Sequence, residues 1–225
     1  MGLNQQPATS ARKIGVFGGA FDPPHNAHVT LAKTAIKALE LDELHIIPTG
    51  QAWHKPRGLS AREHRLAMTQ LAFAGVPRVI VDSRELDRVG PSFTIDTLRD
   101  LQSENPDAQL YLIMGADQFK AFTRWHEWQA IVDLAIICIA DRDRFDWAES
   151  HFEAYKEQES RFLVLPMPVM PVSATQIRQL LASCANEVAS AAGRDVGHDA
   201  DLVGEMVTEP VARYISLYRL YRPPV

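Results

Sequence analysis

The chain is poor in cysteine, in surplus positive charge and in long apolar stretches. Only two of its 225 residues are cysteines, Cys138 and Cys184, at no spacing that makes a metal site or a disulfide framework. A reducing compartment, the cytoplasm, is therefore expected. Lys and Arg number 23 against 28 Asp and Glu, a formal net charge of −5. That balance argues against nucleic acid and anionic membranes as partners, and leaves room for an anionic small substrate met by local cations. The longest apolar run, IVDLAIICIA at 131–140, is interrupted by Asp133 and falls short of the roughly 20 residues needed to span a bilayer. The opening MGLNQQPATSARK has no apolar centre of a secretory signal, and Gln6 breaks the myristoylation pattern. Two familiar nucleotide signatures, G-x-x-x-x-G-K-[ST] and G-x-G-x-x-G, are also missing.

What is present is enough apolar residue, 46% of the chain, to bury a proper core. Residues 1–12 read as a loose tail, and 13–225 as a single domain. KIGVF (13–17), ELHIIP (43–48), RVIVD (78–82), QLYLIM (109–114), LAIICIA (134–140) and RFLVLP (161–166) read as strands. Helical spacing runs from Asn26 to Leu41, over 94–105 and from Glu209 to about Tyr218, with a short helix around Trp125–Ile131. Two capping boxes, Ser60–Glu63 and Ser173–Gln176, each predict a helix start. The stretch Ala185–Asp201 reads as a surface excursion. The alternation implies an α/β fold: a Rossmann-like, doubly wound parallel sheet with helices on both faces and a small C-terminal helical part.

In such sheets ligands bind at the carboxyl ends of strands, where strand order reverses. The first strand-to-helix turn reads Phe17-Gly18-Gly19-Ala20-Phe21-Asp22-Pro23-Pro24-His25-Asn26-Ala27-His28. Two glycines admit a ligand close to backbone N–H groups, and a helix N-terminus follows with unpaired donors suited to phosphate. His25 and His28 are three apart, so one turn can aim both rings the same way. Half of a zinc site is the competing reading, but no H-E-x-x-H is present and no metal ligand is assigned. Simple packing of the two rings is the other alternative.

FGGAFDPPHNAH resembles the H-x-G-H signature of the nucleotidyltransferase superfamily. IIPTGQAWHKP (46–56), PSFTIDTL (91–98), IMGADQFKAFTRWHEW (113–128), VSATQIR (172–178) and the ending EPVARYISLYRLYR (209–222) resemble, in order, the bacterial nicotinate-nucleotide adenylyltransferases. Ala27 stands where that family has Gly, and Ala20 where it usually has Thr or Ser. Alanine at 27 is mild if its φ is negative and costly if positive.

The resemblance implies transfer of the adenylyl group of ATP to nicotinate mononucleotide, giving nicotinate adenine dinucleotide and pyrophosphate, with Mg²⁺ accompanying ATP. It implies that His28 binds the α-phosphate and stabilises the transition state, with His25 beside it. Gly18, Gly19, Ala20, Phe21, Gly115 and Asp117 would then contact ATP. Ser173, Thr175 and Arg178, at the start of a capped helix, would hold the β- and γ-phosphates. Lys55, with His54 beside it, would meet the acceptor phosphate, and Trp125 would stack on the pyridine ring. Phe93, Thr94 and Thr97 at a helix N-terminus would face the carboxylate, an arrangement favouring an acid over an amide. Nicotinamide mononucleotide, another phosphorylated acceptor such as phosphopantetheine, and a non-catalytic nucleotide-binding regulator are the alternatives. A homodimer is left open.

Overall fold

The computed structural model describes residues 11–50, 59–141, 158–168, 170–190 and 203–222. Six strands form one sheet: β1 (Lys13–Gly19), β2 (Glu43–Pro48), β3 (Val79–Val81), β4 (Gln109–Gly115), β5 (Ala135–Asp141) and β6 (Phe162–Pro166). Every neighbouring pair is parallel and the order is β3-β2-β1-β4-β5-β6. The chain moves outward from β1 to β3, then crosses back to lay β4 on the other side of β1. The switch point therefore lies between β1 and β4, where Phe17 pairs with Ile113.

The continuous apolar runs are split by the two-residue period of a strand. In β4, Tyr111 and Ile113 belong to one core, while Leu110, Leu112 and Met114 belong to the other. The first core is closed by α1 (Asn26–Leu39), α2 (Arg62–Phe73), α7 (Ala174–Ser190) and α8 (Glu209–Leu217). The second is closed by α4 (Thr94–Glu104), α5 (Ala116–Lys120) and α6 (Trp128–Leu134), with a 3-10 turn at Phe122–Arg124. A short α3 (Arg84–Asp87) follows β3. Cys138 on β5 is buried, and burial pushes its thiol up to about 12. No helix among the described residues is long and apolar enough to cross a membrane.

The structure moves some expected boundaries. Helix α1 stops at Leu39 because Glu40 turns left-handed (φ 54) and Leu41 N–H closes on Ile36 O at 3.1 Å. Ser60 does not cap α2, which starts at Arg62 after Ala61 without a side-chain cap. The short helix expected around Trp125 divides into the 3-10 turn and α6, separated by the left-handed Glu127 (φ 50). Helix α7 extends through Ser190, so the first part of the expected surface excursion is helical. Ser173 does cap α7, with Gln176 N–H donating to its Oγ at 3.2 Å.

Candidate active site

Two cavities flank the end of β1. The larger, about 850 Å³, is walled by Gly18, Gly19, Ala20, Phe21, His25, His28, Gly115, Asp117, Thr175 and Arg178, among others. The second, about 580 Å³, is walled by Phe93, Thr94, Thr97, Trp125, Glu85, Arg124 and His126, among others. Gly18, Gly19, Ala20, Asp117 and Gln118 belong to both walls, so the cavities meet at the mouth of β1. Polar groups of opposite flanks thus converge on one short backbone segment, as the switch-point rule anticipates.

The loop before α1 sets the histidines. His25 is the N-cap, in extended backbone (φ −138), and its N–H donates to His28 Nδ1 at 3.1 Å. An Nδ1 that accepts a hydrogen bond cannot carry the proton of a neutral imidazole, so that proton sits on His28 Nε2 as a donor. The two rings stack, centroids 3.7 Å apart, and Phe21 meets His28 edge-on at 5.1 Å. Burial lowers His25 to about 4, so its ring is neutral at pH 7 and the stack carries no repulsion from that side. His25 Nδ1 is buried without a hydrogen-bond partner among the described residues, a group that a phosphate hydroxyl or water could satisfy.

Gly19 lies against the Phe21 ring, where an added Cβ would come within 3.0 Å, and Phe21 itself takes a positive φ of 45. The tight backbone here depends on the missing side chain. Ala27 lies inside α1 and is not among the positive-φ residues, so alanine there is unstrained.

On the far wall, Arg178 Nη2 donates to Thr175 Oγ1 at 3.0 Å and Nη1 donates to the carbonyl of Asp22 at 2.7 Å. Its Nε is buried and unpartnered among the described residues. Ser173, expected on the phosphates, is not on the cavity wall; its hydroxyl is engaged with Gln176. Asp117, in the first turn of α5, stands where the two cavities join.

Around the smaller cavity, Trp125 stands on the wall while Trp128 does not, and both ride edge-on against Phe122. Phe93 is the N-cap of α4 and makes no side-chain cap bond, so that helix end supplies backbone donors. The Thr97 hydroxyl, expected on the carboxylate, donates to Glu85 Oε1 at 2.9 Å instead. Burial raises the Glu85 carboxyl, against the pull of its bonds to Thr97 and the Gly50 amide. Lys55 and His54 lie outside the described residues.

Four further residues bear on the site without having been singled out in sequence. Lys120 and Arg124 put one cation on each cavity wall. Arg65, 3% exposed, donates from Nη1 to Ala20 O at 3.1 Å, and Asp22, 2% exposed, is the buried carboxylate of the loop itself and belongs to the wall of the larger cavity. Lys120 and Arg124 were visible in the segment 113–128 but carried no distinguishing spacing. Arg65 and Asp22 act through long-range contacts that no local pattern reports.

Comparison with known proteins agrees with this geometry. Residues 16–180 match the cytidylyltransferase-like family. A probable nicotinate-nucleotide adenylyltransferase of Albidiferax ferrireducens is 50% identical over 94% of this chain and 98% of its own length. One from Methylibium petroleiphilum is 42% identical over 96% of both chains. The structure of Plasmodium falciparum nicotinic acid mononucleotide adenylyltransferase complexed with NaAD superposes with a TM-score of 0.71 at 18% identity. That superposition covers 93% of this chain and 97% of the other, and it speaks for the fold. A six-stranded parallel sheet with its ligand-sized cavities at the β1–β4 switch, and near-full-length identity of up to 50% to these relatives, place the chain in the cytidylyltransferase-like family, among the nicotinate-nucleotide adenylyltransferases.

Proposed function

We propose that ATP occupies the larger cavity and nicotinate mononucleotide the smaller, and that the enzyme joins them across the mouth of β1. The acceptor's 5′-phosphate oxygen attacks the α-phosphorus, the bond to the bridging oxygen breaks, and pyrophosphate leaves carrying the electron pair. The products are nicotinate adenine dinucleotide and pyrophosphate. The observation carrying this reading is the shared wall: Gly18, Gly19, Ala20 and Asp117 line both cavities, so two ligands filling them would meet there.

Such a displacement needs in-line positioning and neutralisation of charge more than covalent participation. His28 Nε2–H is the donor to the α-phosphate in this reading, aligned by the Nδ1 bond to His25 N–H. A fixed donor of this kind needs no reorganisation as charge develops. Thr175 and Arg178 meet the leaving pyrophosphate, with Lys120 adding a cation to the same wall. Ser173 supports them by capping α7. Magnesium arrives with the triphosphate. The described residues bring together no three metal-ligating side chains, so the ion would keep phosphate and water oxygens, as Mg²⁺ commonly does with nucleotides.

Trp125 offers the pyridine ring a flat face, and the N-terminus of α4 at Phe93 and Thr94 offers the ring carboxylate backbone donors. Arg124 on the same wall adds a positive charge. The helix N-terminus and Arg124 favour the acid over the amide, while the stacking face serves either. Chemistry that consumes ATP suits the cytoplasm.

Pyrophosphate release with MgATP is the test, comparing nicotinate with nicotinamide mononucleotide. Strong preference for the acid is expected. Equal use of both would overturn the carboxylate reading while keeping the chemistry. Release with neither, but with phosphopantetheine, would overturn the choice of acceptor.

A further inference from the structure

Tyr221 lies beyond α8, 199 positions from Asp22, yet its hydroxyl donates to Asp22 Oδ1 at 2.8 Å. The other carboxylate oxygen, Oδ2, accepts the backbone N–H of Ser60 at 3.2 Å. Ser60 in turn gives its carbonyl to Arg65 Nε at 3.1 Å, and Arg65 reaches back to the carbonyl of Ala20. The carbonyl of Asp22 accepts Arg178 Nη1. The loop Gly18–His25 is thus tied from α2 and α7 through its backbone carbonyls, and from Ser60 and the last described turn of the chain through the carboxylate of Asp22, a residue 2% exposed. Bonds made away from water hold geometry more firmly than the same bonds at the surface.

The backbone shows what it takes to bring the phenol inward. Arg219 (φ 50) and Tyr221 (φ 66) are both left-handed, two non-glycine residues within three positions. Strain of this kind persists where the surroundings over-determine it, and it concentrates where geometry serves function. Tyr221 itself lines neither cavity. Burial, with Asp22 beside it, holds the phenol well above its ordinary value, so it remains a donor at physiological pH.

We propose that Tyr221 is a positioning residue for adenylyl transfer: through Asp22 it locks the loop that carries His25 and leads into His28, and the same carboxylate joins that loop to Ser60, just before α2. The proposal rests on the reading of this loop as the seat of the α-phosphate.

The test is Tyr221→Phe, which keeps the ring and removes the one donor, with Asp22→Asn and the double variant. The rate constant kcat is expected to fall about tenfold with KM for either substrate within about twofold, because placement is lost and binding is not. The double variant should be no slower than the slower single variant, since both cut the same tie. Amide hydrogen exchange over residues 18–28, which needs no turnover, is expected to accelerate in Tyr221→Phe. Unchanged kcat with unchanged exchange, or strictly additive losses, would overturn the proposal. Faster exchange in a protein that makes no dinucleotide even as wild type would keep the positioning role and sink the substrate reading. If Tyr221→Phe does not fold, Asp22→Asn decides alone: full kcat and unaltered exchange would overturn the role.

Discussion

Replacing His28 in two ways separates its chemistry from its architecture. The ring does two things at once in the proposed reaction: Nδ1 accepts the His25 N–H at 3.1 Å, and Nε2 carries the proton that the proposal assigns to phosphate. Asparagine places a carbonyl oxygen close to where Nδ1 lies, so His28→Asn keeps the acceptor for His25 and loses the outer donor. His28→Ala loses both. A preorganised donor to a developing charge supplies roughly 2.7–4 kcal/mol, so both variants should lose about 10²–10³ in kcat. Stability should divide them. Alanine strands the His25 N–H at the start of α1 and costs about 1 kcal/mol, typical of a lost cap. In a chain of this length that lowers Tm by roughly 2–4 °C. His28→Asn should melt near wild type. Pyrophosphate release under saturating MgATP and nicotinate mononucleotide, beside thermal melts, measures both. If His28→Asn keeps kcat within about threefold of wild type, the outer nitrogen is not the catalytic donor and the assignment is wrong.

His25, lowered to about 4 by burial, binds its proton more readily unfolded than folded. Between its unfolded value near 6.5 and about 4, the unfolded state holds more protons, so stability present above 6.5 drains away as pH falls through that window. The loss relative to His25→Asn should approach about 3 kcal/mol at most, read from denaturant melts at successive pH values; parallel curves would refute it. Gly50→Ala should destabilise by about 1–3 kcal/mol or more, because the new Cβ would lie 2.0 Å from Glu85 O and 2.6 Å from Ser92 Oγ. A melt indistinguishable from wild type would show that this contact relaxes freely.

Much of the fold was legible because it is written locally. ELHIIP is β2 to the residue, and the buried runs at 109–114 and 134–140 are the adjacent strands β4 and β5. The pair His25 and His28 could be read from spacing alone because one helical turn brings them together. Ser60 shows where local reading stops. Its capping box is sound as a pattern, but its N–H is taken by Asp22 and its carbonyl by Arg65, so tertiary bonds claim the residue and the helix begins two positions later. Thr97 shows the same limit: it stands on the wall of the smaller cavity, but a buried Glu85, twelve positions away, takes its hydroxyl proton. Asp22, Arg65 and Tyr221 meet across separations that no periodicity encodes.

The common wall of the two cavities has a consequence for turnover. A molecule that reaches into both, as the dinucleotide product would in the proposed arrangement, pairs two modest attachments through one short covalent link, and each holds the other at high local concentration. In that arrangement the enzyme is expected to grip its product more firmly than either nucleotide that made it. Departure of the dinucleotide, rather than bond formation, is then expected to set the pace of the cycle. The same arithmetic gives an unreactive two-headed mimic an affinity that neither half has alone.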